Sequence, residues 1–564
     1  MLPLTPRRKP VEPTQADALP RQLPVLRLSV EALLLLGCVW FALVSNRMFV
    51  TGALKGRDWA DASAWTFGVA LVLGVLALHL LLLALVSNRW IVKPLLALLL
   101  VATAFASYYM QQYGVYLDPS MLRNVLRTDW HEAGELLGLS LLLHLLLHAA
   151  LPLLVLWRVE IVTRPWKRAL LVRLGLLLAA LAVLVATILS MFQPFSSLMR
   201  NQKELRYLIT PANYLWSLAS VAGADARAKA APRQAIGLDA RPGASWATRT
   251  RPLLVVMVVG ETARSANWGL SGYARQTTPQ LAERAVINFA PVTACGTNTE
   301  TSLPCMFAPV GRRDYDEARI RGSESLLHVL ARAGVGVTWR DNQSGCKGVC
   351  EGLPTQTVQD IGAPEGTCKD GRCLDEGLLH GLGDMLRNAR GTQLLVLHQL
   401  GNHGPSYFRR YPPAFARFQP ECRSDDLRSC SREQIVNAYD NALLYTDHVL
   451  ARLIDTLQAQ AATLDSALLY VSDHGESLGE ANLFLHGLPY AIAPDVQKQV
   501  PMVMWSSAGL AGARGLDLGC LKTRAAQPAA HDHLFHTLLG LLDVDTALYQ
   551  RDWDLTAPCR AVAR

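Results

Sequence analysis

The first third of the chain carries long apolar stretches separated by short polar loops. Five stretches stand out, at residues 29–46, 66–87, 91–110, 136–157 and 169–192. Each is close to the roughly 20 residues that a helix needs to cross the apolar core of a bilayer. The pattern predicts an α-helical transmembrane domain of five spans over residues 29–192, in preference to buried helices of a soluble protein.

The hydrophobic pattern changes after residue 250. Four short apolar runs, each followed by polar residues, read as buried strands: Leu253–Val259, Gly336–Trp339, Leu394–Leu397 and Ala467–Val471. Stretches with helical spacing separate these runs, for example Ile435–Leu457. Buried strands that alternate with helices predict an α/β domain over residues 251–564 with a central, mainly parallel sheet covered on both faces.

Two segments lack a clear apolar period. Residues 1–28 are rich in Pro, Arg and Gln, and we expect a disordered cytoplasmic tail. Residues 193–250 mix aromatic and basic residues and then Ala, Arg, Gly and Pro, which is typical of an interfacial segment followed by a linker.

Charge supports this arrangement and indicates its orientation. Hydrophobic residues make up 51% of the chain, charged residues only 18%, and the net charge is +8. Lys and Arg concentrate in the tail and in the loops after the second and fourth stretches, which places those segments in the cytoplasm and everything after residue 192 outside. The basic charge is therefore a topology signal, and no nucleic-acid partner is expected.

Ten of the eleven cysteines fall in the predicted outer domain, and Cys38 falls in the apolar part. An even set beside a membrane segment predicts disulfide bonds in an oxidising compartment. A zinc–cysteine site at Cys346 and Cys350 is the alternative. The expected pairs, the last by elimination, are Cys295 with Cys305, Cys346 with Cys350, Cys368 with Cys373, Cys422 with Cys430, and Cys520 with Cys559.

Candidate catalytic residues follow the predicted strands. Glu261 comes after the first strand, and Asp473 and His474 come after the last, so all three lie where ligands bind in parallel sheets. Two carboxylates and an imidazole form a ligand set that zinc accepts together with one more oxygen. We assign that oxygen to Thr299, whose hydroxyl would be both metal ligand and nucleophile. A helix that starts just after Thr299 would direct its backbone N–H groups toward a phosphate.

Several motifs together resemble one family. They are Gly260-Glu261-Thr262-Ala263-Arg264, the Cys295–Phe307 run, Trp339-Arg340-Asp341-Asn342 and Ser472-Asp473-His474-Gly475-Glu476-Ser477-Leu478-Gly479-Glu480. The chain resembles the lipid A phosphoethanolamine transferases, which confer resistance to polymyxins and belong to the alkaline phosphatase/sulfatase superfamily. The resemblance covers the spans, the interfacial segment and the outer domain, and leaves out the tail, the linker and stretches such as 306–325.

The resemblance implies a substrate pair and a cofactor. The donor is phosphatidylethanolamine, the acceptor is lipid A or lipopolysaccharide, and the enzyme is a multi-pass protein of the bacterial inner membrane, expected to be a monomer, with its catalytic domain in the periplasm. Catalytic Zn²⁺ is held by Glu261, Thr299, Asp473 and His474, and a second zinc ion is an option.

The same resemblance implies roles for further residues. His403 and His486 match histidines that bind phosphate or a second zinc, and Lys347 matches a lysine near the phosphate. His398 has no clear role and is expected to be structural.

The loop between the third and fourth stretches carries a candidate donor site. Asn124, Thr128 and Glu132 recur every four residues, so on a helix they would share one face. The family uses this loop to bind the donor, and Glu132 would then meet the ammonium of the headgroup.

Competing hypotheses differ in reaction and in acceptor. A sulfatase needs a Cys or Ser in a C/S-x-P-x-R pattern, which neither Cys295 nor Cys305 fits. A glycerol-phosphate polymerase on the same plan and a non-catalytic membrane scaffold are two more hypotheses. A core sugar or a periplasmic glucan in place of lipid A stays open as the acceptor.

Overall fold

The computed structural model describes residues 25–128, 130–230, 233–364, 366–369 and 372–561. Residues 1–24 of the expected tail lie outside the described residues. The end of that tail is ordered, because Leu26–Leu28 pairs in parallel with Val159–Ile161, and Arg27 Nε reaches Glu160 Oε2 at 3.2 Å. Strand pairing is made by backbone groups, so the side-chain composition of the tail gave no sign of it.

Helices dominate residues 25–230, the helical part of the chain. They are α1 (Val30–Trp40), α2 (Arg47–Ala53), α3 (Ala62–Val86), α4 (Val92–Tyr113), α5 (Pro119–Arg127), α6 (Trp130–Glu135), α7 (Leu139–Leu145), α8 (Leu151–Trp157), α9 (Trp166–Ser190), α10 (Phe192–Asn201) and α11 (Ala212–Ala230). A π-helical turn at Leu146–Ala150 joins α7 and α8 into one long helix, and another at Phe41–Ser45 extends α1.

Among the described residues, four helices are long and apolar enough to cross a membrane, namely α3, α4, α7 with α8, and α9. Val30–Ser45 and Arg47–Ala53 are two helical segments with a bend of 55° between them. They form a fifth span if both cross the membrane as one unit. In α9 only 6% of the most apolar window is buried within the protein, so this helix presents its Leu and Val side chains to the surroundings. A helix with so many exposed apolar side chains is stable when lipid surrounds it and unstable in water.

Residues 233–561 form the α/β part. Its helices are α12 (Ser245–Thr248), α13 (Pro279–Ala282), α14 (Thr299–Met306), α15 (Glu317–Gly322), α16 (Leu326–Arg332), α17 (Leu382–Arg387), α18 (Arg432–Gln458), α19 (Asp495–Lys498), α20 (Ala508–Ala513), α21 (Leu518–Arg524) and α22 (Asp532–Leu542). The strands of its main sheet are β1 (Leu253–Gly260), β2 (Ile287–Asn288), β3 (Gly336–Asp341), β4 (Thr355–Thr357), β5 (Thr392–His398), β6 (Asp465–Ser472) and β7 (Met502–Ser506). Short two- and three-residue strands form small sheets elsewhere.

The main sheet has the order β2-β7-β6-β1-β5-β3-β4. The pairs β6/β1, β1/β5, β5/β3 and β3/β4 are parallel, and the pairs made by β7 are antiparallel. The predicted mainly parallel sheet is thus confirmed. Each of the four predicted strands is present and one to three residues longer than its apolar run.

The sheet is buried on both faces. In β1 the side chains alternate: Val255, Met257 and Val259 belong to one hydrophobic cluster with α16 and α22, and the intervening Val256 and Val258 belong to another with α17 and α18. Both faces need apolar side chains, which is why β1 reads as a continuous apolar run. This leaves the strand ends, where the side chains become polar, as the place for chemistry.

Candidate active site

The site lies at the carboxyl ends of two neighbouring parallel strands. Glu261 directly follows β1, and Asp473 and His474 directly follow β6. Register places Ser472 of β6 opposite Gly260 of β1, so the next residues of both strands emerge side by side. One ligand atom from each of Glu261, Asp473 and His474 lies within 4.8 Å of the others, and all three residues are buried.

Thr299 is the first residue of α14 and lies against this triad. Its Oγ1 is 3.2 Å from each carboxylate oxygen of Glu261 and 3.3 Å from Nε2 of His474. The predicted nucleophile and the predicted metal ligands therefore form one cluster. The helix begins at Thr299 itself, one residue earlier than expected.

The donor atoms are oriented as a cation site requires. His474 Nδ1 lies 2.9 Å from the carbonyl oxygen of Gly475, so Nδ1–H is donated there and Nε2 faces the carboxylates. Asp473 Oδ1 accepts from the backbone N–H of His474 at 2.7 Å, whereas Oδ2 is buried with no hydrogen-bond partner among the described residues. A buried carboxylate oxygen without a donor is costly unless a cation meets it. Two carboxylates, one imidazole and a hydroxyl fit Zn²⁺.

Electrostatics in the triad favour a positive charge at its centre. Burial and then the charge of Glu261 raise the pKa of Asp473 well above its usual value. Burial alone would lower the pKa of His474, but the carboxylates of Asp473 and Glu261 raise it to about 10. Burial opposes ionisation of Glu261, yet the hydrogen bond and charge of His474 hold the pKa of Glu261 well below the usual range. Without a metal ion, a proton on His474 supplies the positive charge.

Helix α14, which begins with Thr299, is held at both ends. Asn298 caps it, its side chain accepting from the N–H of Thr301 at 2.9 Å. A disulfide joins Cys295, in the preceding loop, to Cys305 in the last turn. Gly296 allows the loop to lie close, because a Cβ there would come within 2.8 Å of the backbone nitrogen of Ser302. The loop and helix form one rigid unit whose positive N-terminal end carries Thr299.

Two further histidines face the same cluster. The ring centroids of His474 and His486 are 4.4 Å apart, and those of His486 and His403 are 5.4 Å apart. His486 Nδ1 lies 2.8 Å from Oε2 of Glu476, whose Oε1 accepts from the hydroxyl of Tyr407 at 2.6 Å. Burial and then the charge of His474 lower the pKa of His486, which keeps this imidazole neutral near pH 7 and able to coordinate through Nε2.

Lys347, expected near the phosphate, is held by contacts within its own loop. Lys347 Nζ donates to the Ser344 carbonyl at 3.1 Å and hydroxyl at 2.6 Å, within its own loop. In this loop it is Gln343 that reaches the triad, because its Nε2 donates to Oε2 of Glu261 at 3.0 Å. Gln343 was not predicted from the sequence, since nothing in its spacing distinguishes it from other loop amides.

His398 lies at the end of β5 and pairs with Asp341 at the end of β3. Its Nδ1 is 2.8 Å from Asp341 Oδ1, and its ring packs edge-on against Trp339 at 5.4 Å. Burial opposes a charge on His398, but the Asp341 carboxylate outweighs it and raises the pKa of His398. These contacts fit the expected structural role.

The expected donor-binding face is interrupted. Asn124 lies in α5, but the helix ends at Arg127, and Thr128 has an extended backbone with ψ of 131°. The Thr128 hydroxyl donates to the Asn124 carbonyl at 2.8 Å and so satisfies a carbonyl at the helix end. Glu132 lies in α6, a separate helix, and its side chain lies outside the described residues. The three positions therefore do not share one continuous helix. The Thr128 hydroxyl takes the place of the next helical turn by donating to the Asn124 carbonyl, which a backbone N–H would otherwise do.

His531 joins the loop before α14 to the end of β6, and no pattern in the sequence indicated this residue. Its Nδ1 accepts from the N–H of Cys295 at 3.0 Å, and its Nε2–H is donated to the Ser472 carbonyl at 3.0 Å. Ser302 adds a third link, its hydroxyl donating to the Asp473 carbonyl at 2.5 Å. Both bonds of His531 require a neutral imidazole, and burial lowers its pKa to about 3.

The ten cysteines of the α/β part form five disulfide bonds, and all five are the expected ones. Because Cys346 is bonded to Cys350, these two sulfurs are not available as zinc ligands. Cys38, buried in the helical part, is the free cysteine of the described residues. The bonds join Cys295 to Cys305, Cys346 to Cys350, Cys368 to Cys373, Cys422 to Cys430, and Cys520 to Cys559.

Comparisons with known proteins cover both parts of the chain. Residues 75–226 match the family model "Phosphoethanolamine transferase EptA/EptB", and residues 254–544 match the family model "Sulfatase". The chain is 39% identical over 487 residues to the phosphoethanolamine transferase EptA of Escherichia coli K12, covering 85% of this chain and 88% of that protein. It is 37% identical over 516 residues to the phosphatidylethanolamine transferase Mcr-1 of Escherichia coli, covering 90% and 93%.

The fold is also similar to a solved structure over nearly its whole length. The integral membrane protein lipooligosaccharide phosphoethanolamine transferase A of Neisseria meningitidis is 36% identical, with a TM-score of 0.89. The match covers 95% of this chain and 99% of that structure.

Proposed function

The chain belongs to the phosphoethanolamine transferase family, and on that premise we propose that it transfers phosphoethanolamine from phosphatidylethanolamine to a phosphate of lipid A. Thr299 carries the group between the two lipids as a covalent phosphodiester. The observation that carries this proposal is the position of the Thr299 hydroxyl, within 3.3 Å of both Glu261 and His474 at the start of a helix.

The first half-reaction forms one bond and breaks one. Thr299 Oγ1 attacks the phosphorus of the donor, and the bond from phosphorus to the glycerol oxygen breaks. The nearest acceptor for the hydroxyl proton is the Glu261 carboxylate at 3.2 Å, and the leaving diacylglycerol gains one proton. The N-terminal end of α14 and the neighbouring histidines face the negative charge of the transferring phosphate.

Glu261, Thr299, Asp473 and His474 would hold the catalytic zinc ion. When bound, zinc lowers the pKa of the threonine hydroxyl and offsets charge on the phosphate. His403 and His486 would bind the phosphate or a second zinc ion. Gln343 holds the Glu261 carboxylate, and Glu476 orients His486.

The second half-reaction reverses the first with another lipid. An oxygen of a lipid A phosphate that carries one proton attacks the phosphorus on Thr299, the bond from phosphorus to Oγ1 breaks, and the proton of the acceptor phosphate passes to Thr299. Because diacylglycerol leaves before the acceptor binds, one site serves two large lipids in turn. A core sugar or a periplasmic glucan as acceptor would use the same chemistry.

The cellular consequence follows from charge. The protein is a multi-pass inner-membrane enzyme with its α/β part in the periplasm, where both lipids are accessible. The added ammonium offsets a phosphate charge on the outer surface, which weakens binding of cationic polymyxins and gives resistance to colistin.

Mass spectrometry of the lipid A fraction tests the acceptor. Cells that express the wild-type chain should gain lipid A carrying phosphoethanolamine, and cells that express Thr299→Ala should not. Phosphoethanolamine found on core sugar or glucan and absent from lipid A would replace lipid A as the acceptor and leave the threonine mechanism standing.

A further inference from the structure

Six charged side chains form a network at the junction of the two parts, outside the metal triad. They are Arg123 and Arg127 of α5, Asp225 of α11, Glu300 of α14, and Glu317 and Arg321 of α15. We call this set the junction network. Its three positive and three negative side chains balance, and they join α5 and α11 to α14 and α15.

Glu300 is the centre of the junction network and the neighbour of the nucleophile. Its side chain is 0% exposed, and its Oε1 accepts from Arg127 Nη1 and, at 3.1 Å, from Arg321 Nη1. Arg321 Nη2 also donates to the Glu300 carbonyl at 2.5 Å. A buried carboxylate is stable only with such partners. The two guanidinium groups therefore fix the first turn of α14, and with it the residue before Glu300, which is Thr299.

Arg127 brings the other side of the junction to this carboxylate. It is the last residue of α5, the helix that carries Asn124, and it also lies 3.3 Å from Asp225. Two short contacts hold the opposite end of α5 against α14. Ser120 Oγ is 2.7 Å from Thr301 Oγ1 and 3.0 Å from Asn298 Nδ2. Helices α5 and α14 are thus tied together at both ends of α5.

Other contacts cross the junction without touching α14. Arg428 donates to the carbonyls of Gln112 at 2.8 Å and Gln111 at 2.9 Å at the end of α4. Glu135 pairs with Arg410 at 2.6 Å. These contacts can hold the helical part against the α/β part without the junction network. Among the described residues, the pair of Arg127 with Glu300 is the ionic contact across the junction that reaches the residue next to Thr299.

We propose that Arg127 and Glu300 are a positioning pair for the donor half-reaction. They fix α5 relative to Thr299, so that the phosphodiester of a lipid whose headgroup lies at α5 meets the Thr299 hydroxyl in line. A soluble substrate, which does not need α5, depends on the pair far less. This inference rests on the proposed function, because it takes Thr299 as the nucleophile and a membrane lipid as the donor.

The test compares two substrates on the full chain in detergent or nanodiscs. The lipid substrate is phosphatidylethanolamine, followed by release of diacylglycerol, and the soluble probe is 4-nitrophenyl phosphoethanolamine. Arg127→Gln should lower kcat/KM for the lipid by about tenfold to a hundredfold, the range for a reactant held slightly out of place. The loss with the soluble probe should be at least about tenfold smaller. Arg127→Lys keeps the charge but loses the fork that contacts both Glu300 and Asp225, so it should restore part of the lipid activity.

A double variant and a matched control separate this role from simple docking. Arg127→Gln with Glu300→Gln should cost about as much lipid activity as the larger single loss, because both changes break one interaction. Arg428→Gln removes another arginine that crosses the junction and should change lipid activity less than about twofold. Thermal unfolding and zinc content identify any variant that has lost its fold.

Each outcome decides one claim. Equal losses with both substrates, additive effects in the double variant, or an equal loss in Arg428→Gln would overturn the positioning pair. Thr299→Ala should abolish turnover of both substrates. If Thr299→Ala keeps turnover, the proposed covalent mechanism is wrong, and the positioning pair, which takes Thr299 as the nucleophile, is wrong with it.

Discussion

Zinc binding to the triad should release protons, so its affinity should fall steeply as the pH falls. Coordination requires a neutral imidazole and ionised carboxylates. In the metal-free site the neighbouring carboxylates raise the pKa of His474 to about 10, so Nε2 carries a proton across the neutral range. Zinc must displace this proton at every pH from 6 to 8.

The size of the effect follows from the number of protons displaced. One proton per zinc ion corresponds to about tenfold weaker apparent binding for each pH unit lowered. Burial and Glu261 raise the pKa of Asp473, so this carboxyl adds up to a second proton in the acidic part of the range. The dependence should therefore steepen toward about a hundredfold per pH unit as the pH falls toward 6. The pKa of Glu261 is lowered, so Glu261 adds nothing.

Competition with a fluorescent chelator at pH 6, 7 and 8 measures the affinity. Titration calorimetry in two buffers with different heats of ionisation counts the protons directly. Asp473→Asn removes one titrating carboxyl and one of the two charges that raise the pKa of His474, so zinc binding to this variant should release fewer protons than zinc binding to the wild-type chain. Affinity that changes less than about threefold between pH 8 and 6 would refute this account of the site.

Three further predictions concern the surroundings of the site. Glu132→Gln should weaken transfer from phosphatidylethanolamine by about tenfold through loss of a charged hydrogen bond to the ammonium, and should leave zinc content unchanged; wild-type lipid transfer would rule out this carboxylate as the headgroup partner. His531→Ala leaves the Cys295 N–H and the Ser472 carbonyl buried without their partner, so the free energy of unfolding of the α/β part should fall by about 3 kcal/mol; an unchanged thermal midpoint would contradict this. Thiol titration in denaturant should find Cys38 as the free thiol, and several reactive thiols in fresh protein would contradict an oxidising compartment.

The fold was predictable where the pattern is local. The continuous apolar run of β1 and the polar residues that follow β1 and β6 are visible in the sequence, and parallel pairing then brings Glu261, Asp473 and His474 together. The bend of 55° between Val30–Ser45 and Arg47–Ala53 was not predictable, because the composition of an apolar stretch indicates its length and not the direction of its helix axis. The break after Arg127 was missed as well, because the spacing of Asn124 and Thr128 suits a helix, and only the structure shows the Thr128 hydroxyl bonded to the Asn124 carbonyl.

Long-range contacts account for the rest. Arg127 and Glu300 are separated by 173 residues, and His531 and Ser472 by 59. A single sequence gives no reason to pair an arginine at the end of one helix with a glutamate in another. Gln343 has the same difficulty, because its role depends on where its loop lies against Glu261.

The central claim is that Thr299 carries phosphoethanolamine between two lipids. Its direct test is to incubate the purified chain with phosphatidylethanolamine labelled in the headgroup, omit the acceptor, quench with acid, and map the label by peptide mass spectrometry. The account predicts one phosphoethanolamine on the peptide that contains Thr299, with release of an equal amount of diacylglycerol, and no label in Thr299→Ala. Release of one equivalent of diacylglycerol per chain, with Thr299 unlabelled, would contradict the covalent mechanism.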